Sequence, residues 1–133
     1  MLQGWLGGDV GYAVTDRLGP GGRAVGDAAS ETYGHFNLGD HVGDDADRVM
    51  ANRRALQAAL GPDGVDGIVW MRQVHGSDVV VVDTVPAEVP ECDGLVTTTP
   101  GLALAAMAAD CVPVMLASAS PARCPPPPMP VEP

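Results

Sequence analysis

Two hydrophobic periods share this chain. From Asp44 to Leu60, the apolar residues Val49, Leu56 and Leu60 fall on one face of a 3.6-residue repeat, and the spacing predicts an amphipathic helix. Asp44, Asp45 and Asp47 stand at its start, where free backbone amides and the helix dipole favour negative charge. Gly61-Pro62 supplies the stop. Elsewhere the apolar runs are short and β-branched. Val10 to Asp16, Ile68 to Gln73, Asp78 to Val82 and Gly94 to Thr99 predict strands. Leu102 to Ala108 and Val112 to Leu116 flank Asp110-Cys111 and read as two buried strands, the Ala content of the first leaving a helix open. Between Leu18 and Gly34, Gly and small residues predict a loop. After Leu116 the pattern stops: residues 117–133 hold seven of the thirteen Pro and no apolar period, the composition of a Pro-rich tail.

A length of 133 residues is one small domain or part of a larger one. Apolar residues at 46% against 18% charged place it among globular chains. Seventeen acids face seven bases, all Arg, and the net charge of −10 speaks against nucleic acid and against an anionic membrane surface as partners. Three Cys without a C-x-x-C pair suggest neither a disulfide framework nor a zinc knuckle, and the expected setting is the reducing cytoplasm. Met1 to Val10 lacks the basic start of an export signal. The most apolar run, Gly101 to Ala117, is broken by Asp110 and Pro113 and is too short to span a bilayer.

Several features that invite a chemical reading do not support one. The stretch from Gly19 to Gly22 has no third Gly at the dinucleotide-fingerprint position, which is Ala24, and no P-loop Lys. The acids Asp40, Asp44, Asp45 and Asp47 do not fit the calcium loop, which needs a central Gly and a terminal Glu. Of His35, His41 and His75, the last lies just past a predicted strand end, where side chains commonly point into a site. Cys111, between two apolar runs, reads by itself as a small core residue as readily as a ligand.

Taken in order, however, a series of short words resembles one family. They are Thr15-Asp16-Arg17, Phe36-Asn37-Leu38-Gly39, His41-Val42-Gly43-Asp44-Asp45, Asn52-Arg53, Trp70, Gln73-Val74-His75-Gly76, Asp93-Gly94-Leu95-Val96-Thr97, Pro100-Gly101-Leu102-Ala103-Leu104 and Ala109-Asp110-Cys111-Val112-Pro113-Val114. From about Gly11 to Leu116 the chain resembles the bacterial YfiH / polyphenol oxidase (laccase-domain) family, purine nucleoside phosphorylases formerly described as multicopper laccases. The resemblance implies an α+β fold of layered mixed β-sheets with flanking helices, present here as its N-terminal part. It implies a zinc held by two His and one Cys, with His75 and Cys111 as two of the three ligands. It implies phosphorolysis of adenosine, inosine and methylthioadenosine, with adenosine deamination, so a purine nucleoside and phosphate are the expected partners. Asn37 and Arg53 are the implied substrate contacts. The residue types suit this chemistry: thiolate and imidazole are zinc donors, three protein ligands leave a fourth position open, and an Arg can grip phosphate with two hydrogen bonds.

One family word is missing. The third ligand belongs to a His-Ala-Gly-Trp/Arg-x-Gly segment after the Cys, and no His follows His75. The codons of Pro125 to Pro133, read one base out of frame, are compatible with Ala-Ala-Ala-His-Ala-Gly-Arg-Ala, close to that word and about where it belongs. The expectation is therefore a frameshift between about Leu116 and Pro125, leaving residues 1–116 as the N-terminal part of the domain and 117–133 as an aberrant tail. Two alternatives stand beside a zinc-dependent phosphorylase. One is an inactive fragment with uncovered strand edges. The other is a copper-dependent phenol oxidase, for which one Cys and two or three His are too few to build several copper centres.

Overall fold

In the computed structural model, residues 1–20, 33 and 35–118 are described. The Gly21-Gly22 pair and the tail beyond Ser118 lie outside them. The order of elements is β1 (Leu2–Gly7), β2 (Val10–Val14), α1 (Ala46–Leu60) running into a 3-10 turn (Gly61–Asp63), β3 (Gly67–Val69), β4 (Val79–Val81), β5 (Gly94–Val96) and β6 (Leu102–Leu104). Three two-stranded ladders result: β1–β2 antiparallel, β3–β6 parallel and β4–β5 parallel. The fold is thus α+β with small mixed sheets, as the resemblance implies.

The helix begins where the run of acids places it. The Asp45 side chain accepts from the Arg48 amide at 2.9 Å, satisfying a donor that the first turn leaves unpaired. At its far end the chain passes through Gly61-Pro62 and turns at Gly64, whose φ of 87° is open to glycine. The buried face carries Val49, Asn52, Arg53 and Leu56. Leu56 meets Phe36 and Ile68 in a core cluster flanked by Leu38, Trp70 and Ala103. Phe36 itself lies on Gly19, where a Cβ would come within 2.5 Å of the ring.

β3 forms the floor of this corner and is buried along its whole length. It pairs with β6 in the register Gly67↔Leu102 to Val69↔Leu104, and the Ala105 amide continues the ladder to the Val69 carbonyl at 2.9 Å. The second ladder is pinned by Val82 N to Val96 O at 2.9 Å and by an isolated parallel bridge between Arg72 and Glu91. Two sequence expectations change. The segment from Leu2 to Gly7, where the pattern predicts no strand, is β1. Val112 to Leu116, expected as a buried strand, forms no strand: Val112 is 85% exposed and Leu116 91%. An apolar run becomes a strand only against a partner edge, and none of the described strands pairs with it. Strands expected to run to Gln73, Thr99 and Ala108 end earlier, at Val69, Val96 and Leu104. No helix among the described residues is long and apolar enough to cross a membrane.

Candidate functional site

The sequence-predicted site residues fall into two groups. Asn37 and Arg53 belong to the corner where the loop from Phe36 to Asp45 lies on α1. The Asn37 side chain closes a turn on itself, accepting from the Gly39 amide and donating to the Gly39 carbonyl, each at 3.0 Å, and it also donates to Asp44 at 3.0 Å. From the helix, fully buried Asn52 donates to the Asn37 carbonyl at 2.8 Å. Arg53 donates through Nε to the Leu38 carbonyl at 2.8 Å. Its Nη2 lies 3.3 Å from the Asp40 carboxylate, and its guanidinium stacks 4.3 Å from the centre of the Trp70 ring. Arg53 is 9% exposed, so it is not a solvated helix arginine. Asp40, its ionic partner, is exposed, so the pair sits at the mouth of the corner.

Asp44 completes this loop. Its side chain is almost wholly covered and pairs with Arg48 one helical turn away. The Arg48 hydrogen bond is the main reason its carboxyl is held below the usual carboxylate range, with Asn37 and the Asp45 amide adding to it against the opposing effect of desolvation. Of the acids that could have suggested calcium, Asp45 caps the helix, Asp44 pins the loop and Asp40 pairs with Arg53.

His75 and Cys111, the metal donors that the resemblance implies, stand in different environments. His75 sits past β3, on the turn between β3 and β4, with φ at 58°. It is the one non-glycine with positive φ among the described residues, a conformation that costs an L-residue roughly 1–2 kcal/mol. The turn is held from the residue before β5: the Asp93 carboxylate accepts from the His75 amide at 2.9 Å and from the Gly76 amide at 2.7 Å. These bonds, that to Gly76 foremost, keep the Asp93 carboxyl below its usual range. Gln73, two residues before the histidine, accepts from the Met107 amide at 3.3 Å and so ties the turn to the chain leading to Cys111. Cys111 is free and exposed. Cys92, one residue before Asp93, is fully buried, and burial pushes its thiol pKa up, which leaves it a core residue.

In kind, an imidazole and a thiol suit a zinc ion, and both are reachable from solvent. In number they are incomplete: among the described residues no three His, Cys, Asp or Glu side chains converge where they could hold a metal. His35 and His41 lie near the Asn37 loop in sequence and are not part of such a group. Sequence reasoning names Asp93, Gln73, Trp70 and Asn52 only as parts of words. The hint for Asp93 is an Asp-Gly pair at the head of a strand, which is a turn signature and says nothing of what the carboxylate holds.

Comparison with known proteins bears on both groups. Residues 21–124 match the family described as multi-copper polyphenol oxidoreductase laccase. A purine nucleoside phosphorylase of Mycobacterium bovis is 52% identical over 96 residues, covering 71% of this chain and 38% of its own length. The purine nucleoside phosphorylase ORF3 of Streptomyces griseus is 46% identical over 113 residues, covering 83% and 43%. The purine nucleoside phosphorylase YfiH of Shigella flexneri is 38% identical over 91 residues, covering 68% and 37%. The chain therefore spans about two-fifths of the length of these relatives. No solved structure matches it. With the family match running through the loop on α1, the His75 turn and Cys111, the chain belongs to the multi-copper polyphenol oxidoreductase laccase family, that of YfiH.

Proposed function

We propose that this chain carries the N-terminal part of a purine nucleoside phosphorylase that takes a purine nucleoside and phosphate. The observation that carries the reading is the 52% identity to a relative bearing that name, over a stretch of 96 residues. In phosphorolysis, phosphate attacks the ribose C1′ and the purine leaves. The reaction calls for a cation to hold the phosphate and for groups that orient it. Arg53 supplies the cation. Its planar guanidinium is already oriented by the Leu38 carbonyl and the Trp70 ring, and its partner Asp40 is exposed enough to be exchanged for an incoming anion. Asn37 keeps the loop that carries Asp40 in place and contributes to substrate contact from the same rim.

His75 and Cys111 are two of the donors of a zinc centre, and the third belongs to a His word that these 133 residues do not contain. When bound, zinc supplies a Lewis acid, the chemistry that deamination at the purine C6 also requires. Zinc suits the proposed two-His, one-Cys set better than copper does, since multicopper oxidation needs several centres. The setting proposed for the enzyme is the cytoplasm.

The test is phosphate-dependent conversion of adenosine to adenine and ribose 1-phosphate, followed chromatographically with and without added zinc. Turnover that requires phosphate and falls at least about tenfold in Arg53→Ala supports the reading. Turnover without phosphate dependence, or oxidation of a phenol by a copper-loaded protein, overturns it. A second reading, an inactive fragment, draws on the exposure of Val112 to Leu116 and on the two-donor set. Resequencing the gene from the Cys111 codon past Pro133 separates the two. A one-base correction that opens His-Ala-Gly favours the enzyme, and an unchanged frame with no bound zinc and no turnover favours the fragment.

A further inference from the structure

We infer that β1 is a docking edge for a second copy of this chain: two β1 strands pair antiparallel about a two-fold axis and join their hairpins into one four-stranded sheet. The inference is independent of the proposed enzymatic reading. Its first observation is exposure. In the β1–β2 hairpin Trp5 is 73% exposed and Leu2 64%, and Leu6, Val10 and Val14 are exposed as well. The hairpin is fastened at its open end: Gln3 donates to Asp63 at 3.1 Å, Met1 packs against the core cluster, and its amino group lies 3.5 Å from Asp16. The second observation is the edge itself. β1 pairs with β2 from Leu2↔Val14 to Trp5↔Gly11, and no other described strand lies beside it. Its outer row of N–H and C=O groups is a template for a further strand. A hairpin of two strands is marginal in water, and added strands stabilise it.

Charge selects the occupant. At a net charge of −10 two copies repel, so they meet where neither carries charge. From Leu2 to Val14 the sole charged side chain is Asp9, at the turn between the strands. Edge strands are ordinarily guarded by charge, proline or a bulge. β1 has no charge and no Pro, and its register shift lies toward the tip, between Trp5 and Gly7, which leaves Leu2 to Trp5 regular. By contrast β3, β4 and β5 are three residues each and begin next to Asp66, Asp78 and Asp93. A strand paired antiparallel with its own copy meets its own residues, so an uncharged strand meets no like charge, and the two-fold contact closes at the dimer. Trp5 supplies a large side chain of the kind that anchors interfaces. A contact of one hairpin per partner belongs with the weak interfaces that bury less than about 1,200 Å². Association is therefore expected at a dissociation constant on the order of 100 μM.

The experiment uses the full 133-residue chain. Its mass is followed by sedimentation velocity across a protein range of about 5 to 500 μM, at low and at high NaCl. Expected is a reversible monomer–dimer equilibrium that tightens by about threefold or more at high salt, because screening relieves the repulsion between the copies. Trp5→Glu and Leu6→Glu each set two like charges at the shared edge and should weaken the dimer by at least about tenfold. Val112→Glu and Leu116→Glu place the same charge on exposed apolar residues elsewhere and should leave the equilibrium unchanged. Amide exchange at Leu2 to Leu6, read by NMR on the wild type, should slow as the protein concentration rises. That readout needs no substitution, so a variant that fails to fold leaves the inference testable. A wild type that stays monomeric throughout the range overturns it and assigns the edge to a different polypeptide. A dimer that survives both hairpin variants, or that is lost in Val112→Glu or Leu116→Glu, overturns it in favour of another contact. Growth beyond the dimer overturns the closed two-fold pairing.

Discussion

The two proposed donors sit in contrasting surroundings. His75 is held on a turn whose amides are gripped by Asp93, just before β5, and Met71 and Cys92, the latter next to Asp93 in the chain, are buried. Cys111 lies on a segment that leaves β6 through the Ala105 and Met107 tethers and then runs exposed through Val112, Val114 and Leu116. Both residues belong to equally recognisable words, yet one is pre-oriented by its own fold and the other is not. The lesson is that a motif and its support are encoded separately. The support for His75 lies within the described chain, whereas the apolar residues after Cys111 meet no packing partner among the described elements.

The sharpest way to break this contrast is by substitution in the two regions. Phe36→Ala removes a ring packed on Gly19, Leu56 and Ile68, and should cost about 3–5 kcal/mol in urea unfolding. Leu116→Ala, at 91% exposure, should stay within about 0.5 kcal/mol of wild type. A large loss for Leu116→Ala would mean that its segment packs against something in solution. Next in size is Asn52→Ala, which leaves the Asn37 carbonyl without its buried donor and should cost about 1–3 kcal/mol. The helix cap is smaller again: Asp45→Ala should lower stability by about 1 kcal/mol in the same assay.

Thiol chemistry sharpens the contrast without mutation. Iodoacetamide at neutral pH should label Cys111 rapidly and leave Cys92 untouched until the chain unfolds, as read by peptide mass spectrometry. Equal rates at both would contradict the burial of Cys92. The smallest effect is electrostatic. Asp44 has a folded pKa below its unfolded value, so its contribution to stability is fully present above the ordinary carboxylate pKa and is lost as pH falls through the folded one. Asp44→Asn should therefore flatten the acid limb of the stability curve below about pH 4. An unchanged acid limb would remove Asp44 from the account.

Much of the helical corner is legible in the sequence, because its signals are local. Three acids, an i, i+4 apolar stripe and a Gly-Pro stop define α1 to within two residues of its observed start at Ala46. The strands are legible as places but not as lengths, since an extended segment counts as strand only while a partner edge runs beside it. β1 escapes the pattern because Leu2, Trp5 and Leu6 are interspersed with glycines and its burial is slight. Val112 to Leu116 misleads for the opposite reason: its apolar composition is strong, and its burial depends on a partner that no short stretch of sequence reveals. For the candidate site, the resemblance supplies His75, Cys111, Asn37 and Arg53. The pairing of Asp93 with the His75 amides joins residues far apart in sequence, and no local pattern predicts it.

The pairing order of the strands also sets an order of events. The β1–β2 hairpin and α1 close on neighbours, so each can form as soon as it is made. β3 cannot: its ladder partner Leu102–Leu104 follows only after β4 and β5, and until then Gly67–Val69 presents an apolar edge with nothing beside it. The corner that holds Phe36, Leu56 and Ile68 is therefore sealed last, by a strand made just before Cys111. A chain interrupted upstream of Leu102 would keep its helix and its hairpin while leaving β3, the floor of the corner, without the strand that pairs with it.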